Sequence, residues 1–162
     1  MTFQTKAELE TWWEEPDPWQ YTTNDDDIRR REIIIDALRP FAPYQRAIDI
    51  GAGEGFVTGL LPASSIDAIE ISDKAAARLP KGIRRVDTPI GKYDLVVATG
   101  VLYDQYDWKR MKRWVEEHSS GIILLSHYDK AGNAHDDLDK KLIMETSFPY
   151  REGEQRLKVY QC

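Results

Sequence analysis

The chain has 162 residues, with 22 Lys and Arg against 28 Asp and Glu and a formal net charge of −6, a size that fits one domain of roughly 100–200 residues and excludes two. With 41% apolar and 10% aromatic residues it can bury a core and is not a disordered chain, yet no run approaches the ~20 consecutive apolar residues of a membrane span. Its polar, acidic N-terminus is unlike a signal peptide, so a cytoplasmic location and no membrane partner are expected. The single cysteine, Cys162, excludes an internal disulfide and a cysteine zinc cluster. The acidic balance removes the broad positive field that supplies most nucleic-acid affinity, so a small molecule is the expected partner; oligomeric state leaves no signal.

Residues 1–27 are rich in Trp, Pro and acid and read as an appendage to a single domain spanning 1–162. Pro16 and Pro18 each lack an N–H and disfavour helix at the preceding residue, so residues 11–23 are expected as an extended loop or lid. Ile28, Ile34, Ile35 and Leu38 share one face of a helix over Asp27–Leu38, capped by Asp25 or Asp26 and stopped by Pro40. Four β-branched or aliphatic runs follow as buried parallel strands: Ala47–Ile50, Ile66–Ile71, Tyr93–Thr99 and Gly121–Ser126. Between them, helices are expected at Phe56–Leu61, Asp73–Leu79 and Trp108–His118, which makes an α/β fold with a parallel sheet. A weaker strand at Gly82–Val86 is joined to Tyr93 by too few residues for a helical crossover and reads as an edge strand. A helix around Asp136–Glu145 and an antiparallel hairpin, Thr146–Tyr150 and Arg156–Gln161 about Glu152-Gly153-Glu154, complete the chain.

The informative segment is Ala47-Ile48-Asp49-Ile50-Gly51-Ala52-Gly53-Glu54-Gly55-Phe56, a strand entering a glycine-rich turn. Gly51, Gly53 and Gly55 allow backbone to approach a ligand closely, and Glu70, at the end of the next strand, is placed to accept ribose hydroxyls. The dinucleotide fingerprint Gly-x-Gly-x-x-Gly is not met, because Phe56 stands at its third glycine; NAD is disfavoured. In this glycine pattern, with Asp49 two residues before the first glycine, the chain resembles the class I S-adenosylmethionine-dependent methyltransferases. A narrower resemblance, to the nodulation-type N-methyltransferases and their small-substrate relatives, rests on Asp17-Pro18-Trp19-Gln20-Tyr21, Arg29-Arg30, Val101-Leu102-Tyr103 and Leu124-Leu125-Ser126-His127-Tyr128. The chain departs from them in having Asp26-Asp27 where they tend to have Tyr-Glu, and in small insertions after the fourth and fifth strands.

The resemblance implies a Rossmann-like methyltransferase fold: a mostly parallel sheet with an antiparallel C-terminal strand and helices on both faces. It also implies S-adenosylmethionine as cofactor, with Asp49, Gly51, Ala52 and Gly53 at its methionine end and Gly55 in the same turn. Glu70 with Ile71 would hold the ribose, Asp87 with Thr88 the adenine, and Thr99-Gly100 the sulfonium side. Arg30 or Arg29 would pair with the cofactor carboxylate, and the aromatic faces of Trp19 and Tyr21 would shield the sulfonium.

Methyl transfer is an in-line displacement in which the cofactor carries the electrophile, so the protein must align the partners and exclude water. A base is required only if the acceptor arrives protonated. His127, at the C-terminal end of the fifth strand, is the candidate base, and Tyr103, with Asp104, the candidate for orienting the acceptor. His118 and His135 are read as non-catalytic. The absence of Asn/Asp-Pro-Pro-Tyr/Phe at Thr99–Leu102 and of a Pro-Cys pair disfavours nucleobase methylation. The expected activity is methyl transfer to an amine or hydroxyl of a small molecule. A non-catalytic S-adenosylmethionine-binding module is the alternative, and a nucleotide-binding oxidoreductase a third possibility.

Overall fold

A computed structural model describes residues 3–162; the first two positions of the 1–27 segment lie outside the described residues. The chain runs α1 (Lys6–Trp12), α2 (Asp25–Leu38), β1 (Tyr44–Ile50), β2 (Ala63–Ile69), α3 (Asp73–Ala76), β3 (Ile83–Arg85), β4 (Tyr93–Thr99), α4 (Trp108–His118), β5 (Ser119–Tyr128), β6 (Lys141–Tyr150) and β7 (Gly153–Gln161). The strands form one seven-stranded sheet in the order β3-β2-β1-β4-β5-β7-β6. The first five are parallel neighbours, and β7 lies antiparallel between β5 and β6.

Alternate residues of the central strands feed two cores. Ala47, Leu95, Val97, Ile122, Leu124, Leu157 and Val159 pack against Ile34, Ile35 and Leu38 of α2 on one face. Ile48, Ile50, Val96, Ala98, Ile123 and Leu125 pack with Val115 of α4 on the other. The reversal of strand order between β1 and β4 opens a crevice at the C-terminal edge, where ligands bind in open α/β sheets.

Several local expectations are corrected. The helix expected at Phe56–Leu61 is a single 3₁₀ turn, Thr58–Leu60, because Gly55, Gly59 and Pro62 leave room for no more. The second strand is Ala63–Ile69, so Glu70 and Ile71 lie just beyond its end. The next helix closes at Ala76; Arg78 and Leu79 bond back to Ala75 and Ala76, the three-residue spacing of a tightening last turn. Helix α2 is capped by Asn24, whose side chain accepts from Asp26 and Asp27 N–H, rather than by Asp25 or Asp26. The expected helix around Asp136–Glu145 is instead a loop leading into β6, where pairing with β7 over the full strand outweighs weak helical periodicity. Within 11–23, Thr11 and Trp12 end helix α1, and only 13–23 is a chain of turns and bends.

Candidate functional site

A cavity of about 1270 Å³ lies along the C-terminal edge of the sheet, roofed by α1, the 13–23 segment and the start of α2. Its centre is the glycine turn. The N–H groups of Gly51 and Ala52 donate to Ile69 O at 2.8 and 3.0 Å, tying the turn to the end of β2. Gly51 has φ +79°, and a Cβ there would stand 2.2 Å from Val101 Cγ1. Only glycine satisfies both the left-handed backbone and that approach. Gly53, also left-handed at φ +59°, turns its N–H to Glu70 Oε2 at 2.7 Å, while Glu70 Oε1 accepts from Ser72 N at 3.0 Å. Burial pushes the Glu70 carboxyl upward, against those two bonds and Arg85. Arg85 donates to Glu70 O and to Asp73, and so fixes the β2 and β3 ends together.

Asp49 is buried below the turn. Its Oδ2 accepts from Thr58 Oγ1 at 2.7 Å, but among the described residues its Oδ1 has no hydrogen-bond partner. Burial raises its pKa to about 6, with Glu70 adding to the rise and Thr58 and Arg30 opposing it. Arg30 is buried on the same cavity wall. Its guanidinium carbon lies 5.4 Å from the Tyr21 ring centroid and 5.9 Å from that of Tyr150. Its Nε stands 3.4 Å from Asp27 Oδ1 without hydrogen-bond alignment and has no hydrogen-bond partner among the described residues. Asp27 is fully buried and is engaged otherwise: it accepts from Tyr150 OH and from Arg151 Nη2, each at 2.6 Å. Those bonds help raise the Tyr150 hydroxyl beyond burial alone and, against desolvation, hold the Arg151 guanidinium above its ordinary range.

The roof is aromatic. Trp13 is buried, and a Cβ at Gly53 would stand 3.0 Å from its ring. Trp19 stacks on Trp12 and Tyr21 and meets Trp13 edge-on at 4.8 Å. Arg78 holds this segment by donating to the carbonyls of Trp13, Glu14 and Glu15.

Of the residues singled out from the sequence, Trp19, Tyr21, Arg30, Asp49, Gly51, Ala52, Gly53, Gly55, Glu70, Ile71, Asp87, Thr99, Gly100 and Tyr103 all line the cavity; Thr88 and His127 do not. Thr88 is exposed. His127 is the more consequential displacement. It follows Ile123 and Leu125 on the α4 face of β5 and is buried there, whereas the neighbouring Tyr128 reaches the cavity. Its Nδ1 lies 2.9 Å from Asp136 Oδ2, in ion-pair range though out of hydrogen-bond alignment. Asp136 also binds Lys158 at 3.2 Å; burial pushes its pKa up, but these two partners outweigh that and bring it to about 2. His127 therefore does not line the cavity; it sits in a buried polar cluster with Asp136 and Lys158, its ring edge-on to that of Tyr103 at 6.3 Å.

Tyr103 is on the wall, but its hydroxyl is committed: it donates to Tyr128 O and accepts from Tyr128 N, and burial drives its pKa well above the ordinary tyrosine range. It fastens the loop after β4 to the end of β5. His135 bonds to Asp104 and stacks on Trp108 with ring centroids 3.6 Å apart, and His118 contacts Gly91 O; neither lines the cavity.

Sequence reading missed Arg85, Tyr150, Arg151 and Gln155, which also line the cavity. The last three come from the hairpin, whose turn is brought to α2 by Asp27. The unusual Asp26-Asp27 pair was the available signal, since Asp26 also accepts from Arg151 N.

The sheet order and the glycine turn after β1 define the fold of Rossmann-like methyltransferases. Among solved structures, the chain is similar to the N-methyltransferase NodS from Bradyrhizobium japonicum WM9 in complex with S-adenosyl-L-homocysteine, with TM-score 0.81, 14% identity, and coverage of 96% of this chain and 97% of that one. It is also similar to magnesium protoporphyrin IX methyltransferase ChlM from Synechocystis PCC 6803 with bound S-adenosylmethionine, with TM-score 0.73, 13% identity, and coverage of 99% and 98%. A third likeness is to a putative methyltransferase from Pseudomonas syringae, with TM-score 0.62, 17% identity, and coverage of 83% and 97%. No family model and no curated protein sequence matches. At these identities the likenesses establish a shared fold.

Proposed function

We propose that the protein is an enzyme that binds S-adenosylmethionine and transfers its methyl group to a nitrogen or oxygen nucleophile of a small molecule. The observation that carries this reading is a pair of buried, oppositely charged groups on one cavity wall, each with an unsatisfied atom: Asp49 Oδ1 and Arg30 Nε. A buried polar atom without a partner is costly. An α-amino acid suits this wall, its ammonium directed to Asp49 and its carboxylate to Arg30, with a small shift of both side chains needed because neither unsatisfied atom is exposed in the free protein. A nicotinamide dinucleotide has no such group.

The remaining cavity residues fit the rest of that cofactor. Glu70, although it closes the glycine turn, keeps acceptor capacity on both oxygens for ribose hydroxyls. Val86 and Asp87 stand with Met111 and Trp114 at the end suited to the adenine. Trp19 is stacked on Trp12 and Tyr21, and Tyr21 already carries the Arg30 guanidinium, so the roof they form serves to exclude water from the reacting centre. When bound, the cofactor supplies an electrophilic methyl group; this chain's part is to hold it at both ends and to align the acceptor over Thr99-Gly100.

Calorimetric titration with S-adenosylhomocysteine, S-adenosylmethionine and NAD tests the reading. Micromolar binding of the first two, lost in Arg30→Met, is expected. Preference for NAD overturns it, and cofactor binding without turnover on any acceptor leaves a binding module.

A further inference from the structure

Beyond Thr99-Gly100, the cavity continues over β5 and β7. Thr99 pairs with Ser126, and two residues on Tyr128 pairs with Gln155. Gln155 is thus two strands across and two residues along from the β4 end, about 12 Å at the usual strand spacings. This end is walled by Tyr128, Tyr150, Gln155 and Arg151, and its free hydrogen-bonding groups can all donate: two nitrogens that only donate and one hydroxyl that also accepts.

Gln155 is buried, and its Oε1 accepts from Ser126 Oγ at 2.7 Å, which turns the amide nitrogen to the cavity. Arg151 spends Nε on Tyr150 OH and Nη2 on Asp27 and Trp19 O. Among the described residues its Nη1 has no partner. The Tyr128 hydroxyl is likewise unengaged, whereas Tyr150 donates to Asp27. The carboxylates of the cavity wall lie elsewhere. Asp49, Glu70 and Asp87 belong to the cofactor half. Asp73 pairs with Lys6 and Arg85, Glu54 with Arg78, and Asp107 with Arg110. Asp17 accepts from Tyr21 N and Thr22. Asp27 is behind this wall, neutralised by Arg151 and Arg30.

With the Arg151 charge already balanced by Asp27 behind the wall, this end offers an ammonium no carboxylate of its own, presents N–H and O–H donors, and holds no group to take a proton from an alcohol. It suits a nucleophile that arrives already anionic. We propose that Gln155, Arg151 and Tyr128 receive the methyl acceptor as a carboxylate, so that the reaction is methyl esterification of a small carboxylic acid. This assignment rests on the methyl-transfer reading and narrows its acceptor. A carboxylate oxygen supplies the electron pair of the new O–CH3 bond, the S–CH3 bond breaks with its pair remaining on sulfur, and no proton is exchanged.

Binding of three probes of one size tests it: benzoate, benzylammonium and benzyl alcohol, each titrated into the free protein and into protein saturated with S-adenosylhomocysteine. Benzoate is expected to bind at least about tenfold more tightly than the other two, the effect of one charge-assisted hydrogen bond. Gln155→Leu should bring benzoate down to the level of benzyl alcohol, and Gln155→Glu should abolish its binding, both with S-adenosylhomocysteine affinity held within about threefold. Benzylammonium or benzyl alcohol binding as tightly as benzoate, or benzoate binding untouched by both variants, overturns the assignment. Failure of S-adenosylhomocysteine to bind instead refutes the cofactor, and the free-protein titrations still decide the acceptor.

Discussion

If Asp49 receives the ammonium of the cofactor, affinity must depend on pH in a calculable way. In the free protein, burial holds the Asp49 pKa at about 6 against an ordinary 3.8, a rise of about two units, or about 3 kcal/mol of penalty on the charged form. The folded-state pKa is the raised one, so the free protein binds a proton more readily than the unfolded chain between pH ~4 and ~6. Its stability therefore falls as pH rises through that window. A ligand ammonium restores the partner that the ionised carboxylate lacks, and bound protein must keep Asp49 charged. An α-ammonium stays protonated well above this range, near pH 8, so only Asp49 titrates in the window. Affinity for S-adenosylhomocysteine should be nearly flat between pH ~6.5 and ~7.5, below the loss of the ligand's ammonium proton, and weaken about tenfold from pH 7 to pH 5, with proton release on binding below pH 7. In Asp49→Asn the pH dependence should vanish, affinity at pH 7 should fall about ten- to a hundredfold, and the free protein should be no less stable. Calorimetry at several pH values in buffers of different ionisation enthalpy measures all three. A wild-type affinity unchanged between pH 5 and 7, or an Asn variant that binds equally well, refutes the ammonium pairing.

His127→Asn, made outside the cavity, should leave methyl transfer within about threefold of wild type and cost about 1 kcal/mol of stability by removing one partner of Asp136; a hundredfold loss of kcat at unchanged cofactor affinity would restore it as the base. Gly51→Ala forces both a left-handed backbone and a 2.2 Å approach to Val101, so denaturant titration should show a loss of about 1–3 kcal/mol, partly recovered by adding Val101→Ala. Arg151→Met leaves Asp27 buried beside Arg30 alone and should cost about 3–5 kcal/mol; recovery of most of it by Asp27→Asn would identify uncompensated charge as the cause, and no recovery would refute it.

The parallel core was legible because β1, β4 and β5 are apolar on both sides, which leaves few alternatives to a buried strand. The glycine turn was legible for a similar reason: each glycine answers a backbone demand that no other residue meets. The elements read wrongly are those whose local signals are weak and whose partners are distant. Asp136–Glu145 has Leu138 and Leu142 at helical spacing, but pairing of Lys141–Tyr150 with β7 decides the form of its second half. His127 was placed correctly on its strand, yet strand end alone does not specify which face a side chain takes, and a single position along β5 separates the cavity from an ion cluster. Arg151 and Gln155 carry no motif; they matter because Asp27, more than a hundred residues earlier, accepts from the hairpin turn.

That long-range bond has a consequence for how the site comes into being. The glycine turn, Glu70 and Asp87 are assembled by β1, β2 and β3, neighbours in sequence and in the sheet, whereas Tyr128, Gln155 and Arg151 form a wall only after β7 has inserted between β5 and β6. Closing that pairing means bringing the last strands back to α2, a long-range step that is slow in parallel-plus-antiparallel topologies. Early folding states would therefore own the proposed donor cradle with no opposite wall, and on the proposed reading the competence to discriminate acceptors is acquired last. Destabilising changes in the hairpin should erode selectivity before they erode donor binding, so that ageing or partly unfolded molecules fail by becoming indiscriminate rather than by going silent.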